Sequence, residues 1–273
     1  MQLEHVRCHR DGDIAVVTLD NPARRNALSR GMQESLRAVI DDLRETPSIR
    51  AVLLTAAGEA FCAGADLAGN AIPAGEEHLT RGQATRKVME NLSNPIITGL
   101  RELPVPVVSA LPGVAAGAGV AIALAADVVI AARSAYFYLP FVPKLGIVPD
   151  LGTTWFLEKL VGRARATALT LLGTRLGAEK AQQWGLVWEC VDDAVLQEQA
   201  LALARQLARL PGHAVVETRR AYEAADRNDL REQLQYEAER QAELLDRPEF
   251  EEGVRAFLEK REPDFKRQPL RDA

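Results

Sequence analysis

Two short segments built almost entirely of small residues carry the chemical potential of this 273-residue chain: Ala60-Phe61-Cys62-Ala63-Gly64-Ala65-Asp66-Leu67 and Pro112-Gly113-Val114-Ala115-Ala116-Gly117-Ala118-Gly119. Each follows an apolar run of strand character, Ala51 to Thr55 and Val105 to Ala110, and the second leads into a helix-like run. With side chains this small, a ligand can approach the backbone amides closely. Two N–H groups converging on one carbonyl oxygen form an oxyanion hole, which stabilises charge that develops only as a reaction proceeds. Such a site suits chemistry on a thioester. Gly117-Ala118-Gly119 also invites a dinucleotide-binding reading, but the third glycine would fall at Ile122 and no acid stands near Leu139, so that reading is set aside.

Other chemistries find less support. Cys8, Cys62 and Cys190 are few, far apart and without nearby histidines, and His5, His9, His78 and His213 are scattered, so neither a zinc site nor a disulfide framework is indicated. A formal net charge of −5 and a pI of about 5.6 argue against a general nucleic-acid surface. With 47% hydrophobic and 26% charged residues the chain has the composition of a folded globular protein. Met1 to Arg10 lacks the apolar core of a signal peptide. Gly113 to Ala132 is the one run long enough to suggest a membrane span, yet it is mostly Ala and Gly and carries Asp127, which favours a buried helix followed by a strand. A cytoplasmic location is expected.

The elements that must position the two segments follow from periodicity. Leu3 to Arg7 and Ile14 to Leu19 read as strands joined across Asp11-Gly12, a hairpin signal. Ser29 stands as an N-cap before Met32, Leu36, Ile40 and Leu43 at helical spacing. Arg50 to Thr55 is a strand, Ala68 to Arg81 a loop, and Gln83 to Leu103 a helix that Pro95 should bend or split. After the strand at Asp127 to Ala132 the pattern turns helical: Leu151 to Val161, Ala164 to Leu172, Ala178 to Trp184, Ala194 to Arg209, and nearly all of His213 to Lys260. The last of these has an apolar face broad enough to need a partner, so homo-oligomerisation is expected.

Taken together, Leu19-Asp20-Asn21-Pro22 with Arg25-Asn26-Ala27-Leu28-Ser29, the Phe61 to Leu67 block, Gly113 to Asp127, Leu145 to Asp150, Trp184-Gly185-Leu186-Val187 and the tail from Gly253 to Lys266 resemble the crotonase (enoyl-CoA hydratase/isomerase) superfamily. The resemblance implies an α/β fold of the ClpP/crotonase type, a spiral of ββα repeats with a C-terminal helical region used in trimerisation. It divides the chain into a core at 1–200 and a helical oligomerisation region at 201–273, in a homotrimer or a hexamer of two trimers. It implies an acyl-CoA substrate and no metal or organic cofactor.

By position in these motifs the oxyanion donors are the N–H groups of Ala65 and Ala118; many relatives carry Gly at the second position, but Ala offers the same N–H. Arg25 resembles a CoA phosphate contact, and Ala27, Ala63, Gly64, Asp66, Leu67 and Gly117 are assigned with it to acyl-CoA binding. The alternative for Asp66 is a cap on the turn that follows, and for Arg25 an exposed solubilising side chain. Phe257 and Lys260 resemble positions that reach a neighbouring subunit's CoA; Lys260 fits a surface helix face equally well, and Phe257 is expected to be buried.

The acid–base group separates the possible reactions. The resemblance places the two glutamates of the hydratases at Ala121 and Val142, neither of which can move a proton. Asp150, in Val148-Pro149-Asp150-Leu151-Gly152, stands where some isomerases and dehalogenases of the superfamily carry their acid. An apolar surround of Leu139, Phe141 and Val142 should raise its pKa by desolvation and suit it to shuttle a proton. Capping the helix that starts at Leu151 is the alternative role. Ala131 to Ala135, Lys144 to Asp150, Val161 to Ala166 and Trp184 to Asp193 resemble the branch that isomerises a ring epoxide of an aromatic acetyl-CoA. Tyr136, Tyr138 and Phe141 could line a pocket for an aromatic acyl group or pack beneath a loop. The competing readings are a hydratase drawing a carboxylate from Glu76 or Glu77, and a non-catalytic scaffold that binds CoA esters.

Overall fold

The computed structural model describes residues 3–67 and 77–265. Two sheets of unequal size make the framework. β1 (Val6–Asp11) and β2 (Ile14–Leu19) form the expected hairpin, with Gly12 at φ +63° in its turn. The first strand starts three residues later than its sequence suggested, because His5 takes a left-handed φ of +58° and its carbonyl accepts the Asp20 amide instead of entering the ladder.

β2 then pairs in parallel with β3 (Ala51–Ala56), followed across the sheet by β5 (Val107–Leu111), β7 (Val128–Ala132) and β10 (Glu189–Val191). Every residue of β2 and β3 is buried, as expected of a parallel sheet covered on both faces. The second sheet has the order β4 (Ala60–Cys62), β6 (Val114–Ala116), β8 (Tyr136–Tyr138), β9 (Leu176–Gly177), and its first three strands directly follow β3, β5 and β7. Strand into the large sheet, strand into the small sheet, then helix: this unit occurs at β3–β4, β5–β6 and β7–β8, and it is the spiral of ββα repeats. Its consequence for function is that both small-residue segments leave adjacent strands of the same small sheet.

Helices close the faces. Ser29 caps α1 (Arg30–Arg44), its Oγ accepting the Met32 amide at 3.1 Å, an arrangement worth about 1 kcal/mol. Met32, Leu36, Val39, Ile40 and Leu43 of α1 are buried. The helix expected from Gln83 to Leu103 runs unbroken through α2 (Arg81–Val88), a π-helical turn at Met89–Ser93 and α3 (Asn94–Arg101), the π turn lying just before Pro95, whose missing N–H interrupts the regular ladder. α4 (Ala118–Leu124) is wholly buried. α5 (Thr153–Leu172) breaks at Gly162, and α6 (Ala178–Gln183) leads to β10.

The boundary expected at residue 200 falls inside α7 (Leu196–Leu207), which packs on β3 and β5 with Ala200 and Ala204 fully buried. α8 (Gly212–Ala225), α9 (Leu230–Leu245) and α10 (Pro248–Glu259) follow it. Among the described residues no helix is long and apolar enough to cross a membrane.

Candidate active site

β4 and β6 run side by side, Ala60 opposite Val114 and Cys62 opposite Ala115, with an irregularity between. Beyond their ends the chain turns at Gly64, φ +94°, and Gly117, φ +52°. Gly64 demands glycine twice over, by its φ and by the space around it, and Gly117 by its φ alone. A methyl group on Gly64 would lie 2.8 Å from the Ala116 carbonyl oxygen, and one on Gly117 would lie 3.8 Å from the Gly64 Cα. The two backbones therefore touch where the sequence placed its two segments.

Bonds on either side fix the amides next to these glycines. Ala63 N donates to Arg25 O at 3.0 Å, Leu28 N to Gly64 O at 2.8 Å, Asp66 N to Leu28 O at 3.3 Å, and Gly117 N to Tyr138 O at 2.9 Å. The N–H groups in between, on Ala65 and Ala118, have no backbone acceptor among the described residues. Ala118 opens α4, so its amide has no acceptor within the helix. Ala65 is exposed and Ala118 buried. Two fixed, unengaged amides on touching segments can receive a carbonyl oxygen.

Asp150 lies between a π-helical turn at Phe141–Leu145 and α5. Leu151 at φ +49° and Gly152 at φ +80° turn the chain through two left-handed residues before the helix begins. As a result Gly152, not Asp150, is the capping position, and no side chain caps α5; only the Asp150 carbonyl takes part, accepting Thr153 N at 2.9 Å. The carboxylate is left with one oxygen, Oδ1, buried and without a hydrogen-bond partner. Burial raises the Asp150 pKa above the ordinary value, and a bond from its own amide partly offsets this. The Thr153 hydroxyl is likewise buried and unpartnered.

Leu139 and Phe141 are buried, and the Phe141 ring lies 3.8 Å from the same methyl position on Gly117. Val142 is half-exposed, so the wall expected there is open. Ala121 is fully buried in α4.

Of the other candidates, Arg25 is exposed in a left-handed conformation, φ +50°, beside half-buried Ala27. Ala63 and Leu67 are exposed, Gly64 and Gly117 buried. Asp66 pairs with Arg24 at 2.9 Å; the turn it was expected to cap runs into residues 68–76, outside the described residues, as are Glu76 and Lys266. Glu77 is exposed. Tyr136 and Tyr138 are half-buried on β8, with the Arg175 guanidinium 4.8 Å above the Tyr136 ring.

Phe257 is not buried as expected: it is 83% exposed, on the outward face of α10. Lys260, φ +55°, is the left-handed cap of that helix and also exposed. Neither joins the glycine segments within this chain. Asn26 and Thr153, to which the sequence pattern assigned no role, are completely buried. No cluster of His, Cys, Asp or Glu fit to hold a metal occurs among the described residues.

Comparison with known proteins bears on this arrangement at full length. Residues 9–268 match the family described as enoyl-CoA hydratase/isomerase. The chain is 40% identical to 1,2-epoxyphenylacetyl-CoA isomerase of Escherichia coli, covering 96% of this chain and 98% of that one. It is also 40% identical to a probable enoyl-CoA hydratase of Rhodobacter capsulatus, over 97% and 99%. Among solved structures, enoyl-CoA hydratase from Bacillus anthracis superposes with a TM-score of 0.86 at 31% identity, covering 96% of this chain and 99% of that one. With the ββα spiral and the paired glycine turns in place, the chain belongs to the enoyl-CoA hydratase/isomerase, or crotonase, family.

Proposed function

We propose that this enzyme of the enoyl-CoA hydratase/isomerase family is an acyl-CoA isomerase with Asp150 as its one proton carrier. The thioester oxygen sits between the N–H groups of Ala65 and Ala118. Asp150 takes a proton from the α carbon, the electron pair spreads into a dienolate whose negative oxygen the two amides hold, and the same carboxyl returns the proton at the γ carbon. The double bond moves from C3–C4 to C2–C3 with no atom gained or lost. Removing one oxyanion donor typically costs about 3–4 kcal/mol of barrier.

One observation carries the choice of isomerase: Asp150 has a buried, unpartnered carboxylate oxygen with a raised pKa and does not cap its helix. A carboxylate so placed is desolvated for no structural return, which is how proton-transfer groups differ from structural ones. The absence of an ionisable side chain at Ala121 and Val142 supports the reading, since hydration of a double bond by a pair of carboxylates would need both. The name of the Escherichia coli relative supports an aromatic ring-epoxide thioester as substrate.

Arg25, with Ala27, Ala63, Gly64, Asp66, Leu67 and Gly117, binds the acyl-CoA, and Phe257 and Lys260 reach the CoA of an adjacent subunit in a trimer or hexamer. The reaction uses neither a metal nor an organic cofactor.

Separate incubations with a 3-enoyl-CoA, a 2-enoyl-CoA and a ring-epoxide phenylacetyl-CoA test this. Isomerisation of the first or third that disappears in Asp150→Ala is expected. Rapid hydration of the 2-enoyl-CoA with Asp150→Ala fully active would overturn the assignment in favour of a hydratase. Tight binding of all three esters without turnover would favour a scaffold.

A further inference from the structure

We infer that Asn26 is the positioning residue for the Ala65 N–H, holding the first half of the oxyanion hole in place from behind. The inference rests on the proposed role of Ala65. Asn26 is completely buried and adopts a left-handed φ of +54°, a conformation that asparagine tolerates better than other side-chain-bearing residues. All of its side-chain amide is engaged: Oδ1 accepts Asn21 N at 2.7 Å, and Nδ2 donates to Ala57 O at 2.9 Å and to Ala60 O at 2.7 Å. One side chain thus ties the 21–28 segment to the turn between β3 and β4.

That segment in turn brackets Ala65. Arg25 O accepts Ala63 N at 3.0 Å, Leu28 N donates to Gly64 O at 2.8 Å, and Leu28 O accepts Asp66 N at 3.3 Å. Leu28 and Ala65 are themselves paired as an isolated parallel bridge. Every backbone link that fixes the direction of the Ala65 amide therefore runs to a segment whose own placement depends on the Asn26 carboxamide. A donor amide works only where it meets the oxygen in line and at close range, and a displacement of about 1 Å in a catalytic arrangement can cost about 100-fold in rate. A buried asparagine that merely filled hydrogen bonds would stabilise the fold without affecting how strongly a bound carbonyl is polarised.

The distinguishing measurement is the absorption of a bound para-dimethylaminocinnamoyl-CoA, a push–pull chromophore whose band moves to longer wavelength when its carbonyl is polarised. Asn26→Asp keeps the shape but replaces the Nδ2 donor with an acceptor; Asn26→Gly keeps the left-handed φ and removes all three bonds. With wild type the band should move to the red. With either folded variant, at saturation, about half or more of that movement should be lost and kcat should fall about 10- to 100-fold. A folded variant that keeps the wild-type band overturns the inference. If Asn26→Asp does not fold, Asn26→Gly decides alone. No red shift with wild type would instead remove the oxyanion reading on which the inference stands.

Discussion

A carboxylate oxygen buried without a partner, as in Asp150, disfavours the ionised form and so lifts the pKa. Because the folded-state pKa lies above the unfolded one, the native protein binds this proton more tightly, and stability falls as pH rises through that window. Asp150→Asn removes the penalty. Its melting temperature should therefore equal or exceed that of wild type at pH 7 and converge with it in acid, while kcat falls by orders of magnitude and acyl-CoA affinity is nearly kept. A variant that loses affinity and melts earlier would mean that Asp150 is structural. The wild-type rate should climb with pH through an apparent pKa above the usual aspartate range. Cys62 follows the same logic with another outcome: its fully buried thiol, which accepts the Gly64 amide at 3.4 Å, is pushed up to about 12. It should resist a thiol reagent in native protein at pH 8 and react only on unfolding, whereas exposed Cys8 reacts in the native protein, slowed by the partial burial and the nearby Asp42 that raise its pKa. Asp150 was legible in the sequence because its Pro-Asp turn and the missing glutamates are local facts. Asn26 was not, since the carbonyls it meets lie 31 and 34 residues away. Nor was the exposure of Phe257, because an apolar residue on a helix does not itself say what covers it.

Long elements were legible because burial imposes a pattern that a sequence displays, as in α1 with its capping Ser29 and in the wholly buried β3. The small sheet was not legible: β4, β6 and β8 are three residues each, too short to show alternation, and they exist because the large sheet presents them to one another. Yet this sheet brings the two glycine segments into contact. Gly64→Ala tests that contact. The left-handed backbone costs about 1–2 kcal/mol for a residue with a Cβ, and the new methyl would press on the Ala116 carbonyl at 2.8 Å. The second segment must yield, carrying Ala118 with it. The expected result is a kcat reduced by about 100-fold with a smaller loss of stability, read by steady-state kinetics and urea unfolding on the same preparation. Equal kcat would mean that the two segments do not act as a unit.

At the scale of the whole molecule the C-terminal helices are joined to the core by Arg50, which donates to the carbonyls of Ala208 and Leu210, and by Arg219. Arg219 of α8 pairs with Asp127 at the start of β7, and its remaining N–H groups donate to the carbonyls of Arg101, Leu103 and Val105. Asp127 also accepts the Val107 amide at 2.7 Å. The Arg219 and Asp127 side chains are only 9% and 18% exposed, so this is a desolvated pair with its hydrogen bonds filled. The isolated charge that interrupts the Gly113 to Ala132 run is thus the anchor for a helix ninety-two positions later in the chain. Replacing it as a pair with apolar residues could leave stability little changed, but removing one partner strands the other charge in a dry site. Arg219→Ala and Asp127→Ala should each lower the free energy of unfolding by about 3–5 kcal/mol in urea titrations. The double variant should cost less than the sum, since neither charge is then stranded, though the Val107 amide and the three carbonyls still lose their partners. Strict additivity would show that the two side chains are not coupled and that each acts through its backbone partners alone.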